Sequence, residues 1–199
     1  MNNRFDTLAA EWDKSDMRSR LSYHIGKAIL ENVDFDEKMH LMDFGAGTGL
    51  LTGHVANNVA KVAAVDLSQG MLDQLARKEA LTGVVTPYCR DIQREPFEEP
   101  FDGIVSAMAL HHVEDTEAIA RTFFEHLTPG GFIALADLDA EDGRFHAPGV
   151  EGVYHHGFER DKLRSVFEKA GFNGVTFTTA HTVEKPEGNY PIFLMCAKR

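Results

Sequence analysis

The stretch "HLMDFGAGTGLL", residues 40 to 51, carries an acid, Asp43, directly ahead of three glycines at every second position. It reads as a strand, a glycine turn and the start of a helix. In that arrangement the glycines let backbone approach a ligand closely and the helix N-terminus offers free N–H groups. A dinucleotide fingerprint requires G-x-G-x-x-G, whereas Gly45, Gly47 and Gly49 give G-x-G-x-G with Leu50 in the third slot. Charge points the same way, because Asp43 at the carboxyl end of its strand opposes a pyrophosphate and attracts a cation. A ligand with ammonium and sulfonium groups suits the loop better than a nicotinamide dinucleotide does.

Outward from this loop, short apolar or β-branched runs alternate with helical patterns, the signature of βαβ units and a parallel sheet. Strands are expected at residues 39–44, 61–66, 84–89, 102–107 and 131–138. After "KVAAVD", Ser68 is placed to cap a helix carrying Met71, Leu72, Leu75 and Ala76 on one face. In "DTEAIARTFFEHLTPGG", Ile119, Phe123, Phe124 and Leu127 form an apolar stripe that Pro129, Gly130 and Gly131 bring to a stop. Residues 139–158, rich in Gly, Pro, His and acids, form a connection long enough to suggest a functional loop. A helix with Leu163, Val166, Phe167 and Ala170 inward follows, and then two β-rich runs joined by "PEGN", which predict an antiparallel hairpin. At the other end, Phe5, Leu8, Ala9 and Trp12 share one helix face, and "MRSRLSYHIGKAILENV" offers a second helix.

The 199 residues suffice for one sizeable core, and 20 basic against 31 acidic side chains leave a formal charge of -11. That charge disfavours nucleic acid and anionic membrane surfaces as partners. Cys89 and Cys196 lack the spacing of a metal clip or a disulfide framework and read as reduced core thiols, which suits a cytoplasmic protein. The N-terminal residues carry acids and no unbroken apolar run, so they read as neither a signal nor a transit peptide, and no segment has the length and apolarity of a membrane span.

A second acid supports the same site. Asp66 ends the next strand, where a carboxylate accepts both hydroxyls of an unphosphorylated ribose. In "CRDIQ", Asp91 is placed to accept from an adenine amino group with the Ile92 N–H nearby, or else to cap the following turn. Leu67 and Met71 are placed to pack on adenine, and core packing is the plainer alternative for Met71. Together "LMDFGAGTG", "VDLSQGML", "CRDI", "FDGIVSAMALHHVED" and "LTPGGFIALADL" resemble, in order and spacing, the successive motifs of class I S-adenosylmethionine-dependent methyltransferases. "FDTLAAEWD" is similar to the N-terminal segment of the small-molecule group of type 11/12. The resemblance implies an α/β, Rossmann-like doubly wound seven-stranded sheet, mostly parallel with the last strand antiparallel. It also implies one domain over residues 1–199, with 1–35 as a helical cap or lid on a 36–199 core. S-adenosylmethionine would be held by Gly45, Ala46, Gly47, Gly49, Asp66, Leu67, Met71, Asp91, Ile92 and the turn near Ala107, with Asp43 helping at the methionine end.

A sulfonium methyl is already activated, so placing the nucleophile in line matters most. A hydroxyl or protonated amine acceptor also needs a base, and histidine suits that task near neutral pH. His111 and His112, after the fourth strand, are candidates to act as base or to position substrate, and His155 beside His156 at the end of the long loop is another. Capping or packing for the first pair, and an idle surface position for the second, are the competing readings. Adjacent histidines point apart, and Ala107 and Met108 stand where catechol-type relatives carry a metal-binding acid, so no metal is expected. The segment after the fourth strand lacks the Asn/Asp-Pro-Pro-Tyr motif of enzymes acting on DNA bases. Trp12, Arg18, Tyr23, Tyr154 and Tyr190 are candidates to line an acceptor pocket, and Trp12 alternatively only holds its helix down. The expected activity is methyl transfer from S-adenosylmethionine to a small molecule, with S-adenosylhomocysteine as product. A non-catalytic S-adenosylmethionine-binding regulatory protein and an NAD-dependent oxidoreductase are the alternatives.

Overall fold

The computed structural model describes residues 4–147 and 149–199. Seven strands form one sheet in the order β3-β2-β1-β4-β5-β7-β6. They are β1 (His40–Phe44), β2 (Lys61–Asp66), β3 (Val85–Cys89), β4 (Phe101–Ala107), β5 (Leu127–Leu138), β6 (Asn173–Lys185) and β7 (Gly188–Lys198). The first five run parallel, and β7 pairs antiparallel with both β5 and β6. Leu41 and Met42 are both fully buried although they point to opposite faces, as expected of a central strand covered by helices on both sides.

The described residues form six α-helices around the sheet and its loops: α1 (Arg4–Trp12), α2 (Asp16–Asn32), α3 (Thr52–Val55), α4 (Gln69–Ala76), α5 (Thr116–Glu125) and α6 (Arg160–Ala170). Ile25 and Ile29 of α2 with Leu72 and Leu75 of α4 bury against one face. Ile119 and Phe123 of α5 with Leu163 and Phe167 of α6 bury against the other. Ser68 caps α4 by accepting from the Met71 N–H, and Asp115 caps α5 by accepting from the Ala118 N–H. Gly171 ends α6 in the left-handed conformation at φ 113°.

Three expectations need correcting. The fifth helix stops at Glu125, and β5 begins at Leu127, before the Pro-Gly-Gly segment. Leu127 therefore belongs to the sheet; it pairs with Phe101 before the register shifts to Gly103 against Phe132. Cys89 is exposed at the end of the outermost strand, so it is not a core thiol. Cys196 is half-buried, and burial pushes its thiol up to about 11.

Chain order reverses between β1 and β4. The chain walks outward through β2 and β3 and then returns to the other side of β1. In open α/β sheets that reversal leaves a crevice at the carboxyl ends of the strands, which is where ligands bind. The long connection at 139–158 contains no helix or strand among its described residues, but its ends are pinned by Phe158 N–H to Leu138 O at 2.9 Å and Glu141 N–H to His156 O at 2.9 Å.

Gly103 is the tightest point of the β4–β5 contact, because a Cβ there would stand 2.2 Å from the buried Phe132 ring. Gly103→Ala should lower stability by about 1–3 kcal/mol. The check is urea unfolding, with a lower midpoint and an unchanged slope.

Candidate functional site

The glycine loop hangs from the neighbouring strand, with the Gly45 and Ala46 N–H groups both donating to Val65 O at 2.9 and 3.0 Å. Gly45, Gly47 and Gly49 have φ of 69°, 54° and 79°, a region that suits glycine. Their surroundings differ. A Cβ at Gly45 would meet the Ala109 Cβ at 2.3 Å and one at Gly49 would meet Leu75 at 2.9 Å, whereas one at Gly47 would meet nothing within 4 Å. The outer glycines are thus required by packing, and the middle one borders open space.

Asp66 ties this loop to the next. One carboxylate oxygen accepts from Gly47 N–H at 2.8 Å and the other from Ser68 N–H at 2.8 Å. Burial raises the Asp66 carboxyl above its ordinary range, the backbone donors oppose that rise, and the charge of Asp6 adds to it. Asp43 lies beneath the loop at 1% exposure. Its Oδ2 accepts from the Thr52 hydroxyl at 2.6 Å, while Oδ1 has no partner among the described residues. Burial pushes this carboxyl up to about 7; the Thr52 hydrogen bond acts against the rise and the charge of Asp66 adds to it.

The remaining expected cofactor residues surround this pair unevenly. Leu67 stands 63% exposed at the rim, and Met71 is buried at 1% on α4. Asp91 follows β3, whose Cys89 is in register with Asp66. Its carboxylate accepts from the Gln93 N–H and faces Arg94, so the capping reading is realised. Ile92 is buried at 2% and packs in the core on the α5 side. Ala107 ends β4 opposite Ala136, and Met108 behind it holds φ at 58°, a strained value for a residue with a side chain.

Helix α1 lies across these loops. Asp6 accepts from the Ser68 hydroxyl at 2.5 Å and the Gly70 N–H at 2.8 Å. Asp13, just beyond the helix, accepts from the Thr48 hydroxyl at 2.5 Å and pairs with Lys78 at 2.7 Å. Sequence reading singled out the aromatic stripe and missed these two acids, although a spacing of seven residues sets them on one side of a helical segment. The stripe itself joins the helix to the rest: the Phe5 ring lies 5.7 Å from Trp12 and 5.3 Å from His112, and the Arg18 guanidinium sits 3.7 Å over Trp12.

A histidine cluster forms beside the loop. His111 is buried, and its Nδ1 is 2.8 Å from Asp137. The His112 and His146 rings lie 4.1 and 5.0 Å from it. His112 donates from Nδ1 to Gly152 O at 2.6 Å. Burial, then the proximity of His111, lowers His112 to about 4, and the same causes in the same order bring His146 to about 4. His155 stands apart, its Nε2 donating to Val113 O at 2.9 Å and its ring packed 5.1 Å from Phe158. Asp137 and His146 were not anticipated; the signal for Asp137 was a lone acid inside the apolar run "FIALADL". Tyr23 and Tyr154 are exposed, while Tyr190 is buried 5.3 Å from Phe145 with its hydroxyl unpartnered. Among the described residues, no three His, Cys, Asp or Glu side chains form a group able to hold a metal ion. No described helix is long and apolar enough to cross a membrane.

Comparison with known proteins gives one consistent result. A family model described as a methyltransferase domain matches residues 17–176. An uncharacterized methyltransferase of Geobacillus kaustophilus is 30% identical over 190 residues, covering 85% of this chain and 87% of the relative. A malonyl-[acyl-carrier protein] O-methyltransferase of Bacillus anthracis is 22% identical over 144 residues, covering 71% of this chain and 53% of that protein. The chain spans about half the length of several curated relatives that it matches. Among solved structures, the complex of DhpI with SAH superposes with a TM-score of 0.76 at 18% identity, covering 98% of this chain and 92% of that one.

Two outcomes follow from the site's geometry. Asp43 binds its proton more tightly folded, at about 7, than at the ordinary 3.8 of an unfolded chain. Below 3.8 both states are protonated, so its effect is a loss of stability as pH rises from 3.8 to about 7, constant beyond that. Urea unfolding across that range should show wild type losing more stability than Asp43→Asn, and parallel curves would contradict the assignment. The double variant Asp6→Ala, Asp13→Ala should release α1 while leaving the sheet intact. Hydrogen exchange should then show protection lost in α1 and retained in β1 and β4.

Proposed function

The chain belongs to the methyltransferase-domain family, and on that premise we propose that it moves a methyl group from S-adenosylmethionine to a small-molecule acceptor. The observation that carries this reading is the pair of buried acids under and beside the glycine loop. Asp66 bridges the two loops that would flank a ribose, and Asp43 keeps one oxygen unpartnered below the loop. The residues fit the cofactor, since open space borders Gly47 and an orphaned carboxylate oxygen suits a cationic ligand.

When bound, S-adenosylmethionine supplies a methyl group activated by its sulfonium. The chain's own contribution is binding, orientation and exclusion of water. Gly45, Ala46, Gly47 and Gly49 bring backbone close, and Asp66 accepts from the ribose hydroxyls at the lone pairs that Gly47 and Ser68 leave free. Leu67 and Met71 flank the adenine, Asp91 and Ile92 meet its edge, and Ala107 borders the reacting end. Helix α1 covers the site, which restricts water and brings Phe5 and Trp12 toward the acceptor side. His111, His112 and His155 are the positions proposed for a base or for positioning the acceptor. The names of relatives point to one acceptor carried on a protein, malonyl-[acyl-carrier protein], so a free small molecule remains this proposal's own choice. An NAD-dependent oxidoreductase is opposed by the glycine spacing and by the two acids. A binding protein without catalysis is the second reading, favoured by the burial of His111.

Calorimetric titration tests the donor. S-adenosylmethionine and S-adenosylhomocysteine should bind and NAD should not; the reverse would sink the proposal. Asp66→Ala should weaken S-adenosylmethionine by about 1.5–3 kcal/mol, the value of a hydrogen bond to a charged group. Deleting residues 1–15 should weaken it severalfold. Transfer of labelled methyl to a metabolite extract separates an enzyme from a binding protein.

A further inference from the structure

We propose that His111 takes the proton from the methyl acceptor, with Asp137 as its positioning residue, so that the acceptor presents a hydroxyl or protonated amine rather than a carboxylate or thioether. This rests on the methyl-transfer reading above and deepens it. Asp137 is 0% exposed near the carboxyl end of β5. It accepts from the His111 ring Nδ1 at 2.8 Å, from the His111 backbone N–H at 3.1 Å and from the Leu138 N–H at 2.7 Å. An ionised carboxylate only accepts, so Nδ1 carries the proton, and in the neutral imidazole Nε2 then carries the lone pair.

That Nε2 is buried and has no partner among the described residues. A buried acceptor left unmatched is unfavourable, and here its neighbours do not match it. The Nδ1–H of His112 is committed to Gly152 O, and the His146 Nε2 is itself unpartnered. The groups facing this cluster are Asp137 from β5, His112 on the same turn, His146 from the 139–158 loop, Arg4 from α1 and Lys185 from β6. Asp137 is the acid among them. It selects the tautomer and stabilises an imidazolium once one forms.

The position suits the role. The 3-10 turn Leu110–His112 follows Ala109, whose Cβ abuts Gly45, and Phe5 of α1 packs on His112. The cluster therefore lies beside both the glycine loop and the helix that covers it. In the step, the acceptor's O–H or N–H proton passes to His111 Nε2 and its heteroatom lone pair forms the bond to the methyl carbon. The bond from that carbon to sulfur breaks, its electron pair remaining on sulfur as a neutral thioether. A carboxylate arrives already ionised and a thioether has no proton to lose, so neither would use this pair.

Two measurements decide the matter. Nitrogen NMR of the imidazoles in the unliganded protein should show His111 protonated at Nδ1 and bare at Nε2. Asp137→Ala, which removes the acceptor at Nδ1, should shift His111 toward the tautomer protonated at Nε2. A wild-type His111 protonated at Nε2 would overturn the proposal. His111→Gln should reduce transfer of labelled methyl from S-adenosylmethionine to a mixed small-metabolite extract by roughly 10²–10⁴-fold, with cofactor affinity unchanged and the thermal midpoint lowered, because the buried Asp137 loses its ring donor. The label in the wild-type product should resist alkali. Undiminished transfer by the variant, or label released by alkali as methanol from a methyl ester, would reject the assignment. A wild-type protein that fails to bind S-adenosylmethionine would instead strike the methyl-transfer reading and leave the tautomer result standing.

Discussion

The carboxylate of Asp66 holds the two ligand-facing loops in one geometry. The glycine loop after β1 and the turn after β2 belong to different βα units, and each sends one backbone N–H to this side chain at 2.8 Å. Burial disfavours the charged form, and the two charge-assisted hydrogen bonds offset that penalty. Without them a buried carboxylate would be costly, and without the carboxylate two N–H groups would lose their acceptor. The loop's position rests on this contact together with the Gly45 and Ala46 N–H bonds to Val65 O, and the start of α4 on the Ser68 cap beside it.

Around it the charges are of one sign. Asp43 lies below the loop, Asp66 beside it, and Asp6 is carried in by α1 to the same turn through Ser68 and Gly70. Asp66 raises Asp43, and Asp6 raises Asp66. Each carboxylate is less favourable for the presence of the others, so a cation among them relieves repulsion besides making its own contacts. This explains how α1 can press an acid onto an acidic site. The hydroxyls of Ser68 and Thr48 and the Lys78 ammonium hold the helix down while the surplus negative charge faces inward.

The sheet was readable because its signals are local. Apolar runs of strand length, a visible Ser68 cap and the glycine stops are written over a few consecutive residues, and the two hairpin runs declare their pairing by proximity. Leu127 was misread because its helical spacing from Phe123 and Phe124 outweighed its pairing with Phe101, which is a distant contact. The donor half of the candidate site shares this local character: Asp43, Gly45, Gly47 and Asp66 sit at strand ends that the pattern marks. Whether an acid such as Asp91 caps a turn or meets a ligand is not written locally, and its bond to the Gln93 N–H shows only the first role.

The histidine cluster is assembled differently, and this is why Asp137 and His146 escaped the sequence. His111 comes from the turn after β4, Asp137 from β5, His146 from the long connection and Phe5 from α1. No window of sequence contains two of these segments at contact distance. The backbone carbonyl of His111 accepts from the Tyr154 and His155 N–H groups, which fixes the long loop against it. His111 is therefore held through its ring by Asp137 and through its backbone carbonyl by the loop, leaving Nε2 as its unmatched polar atom among the described residues. A side chain so constrained at two ends has little freedom to relieve its unmatched atom by rotating the ring.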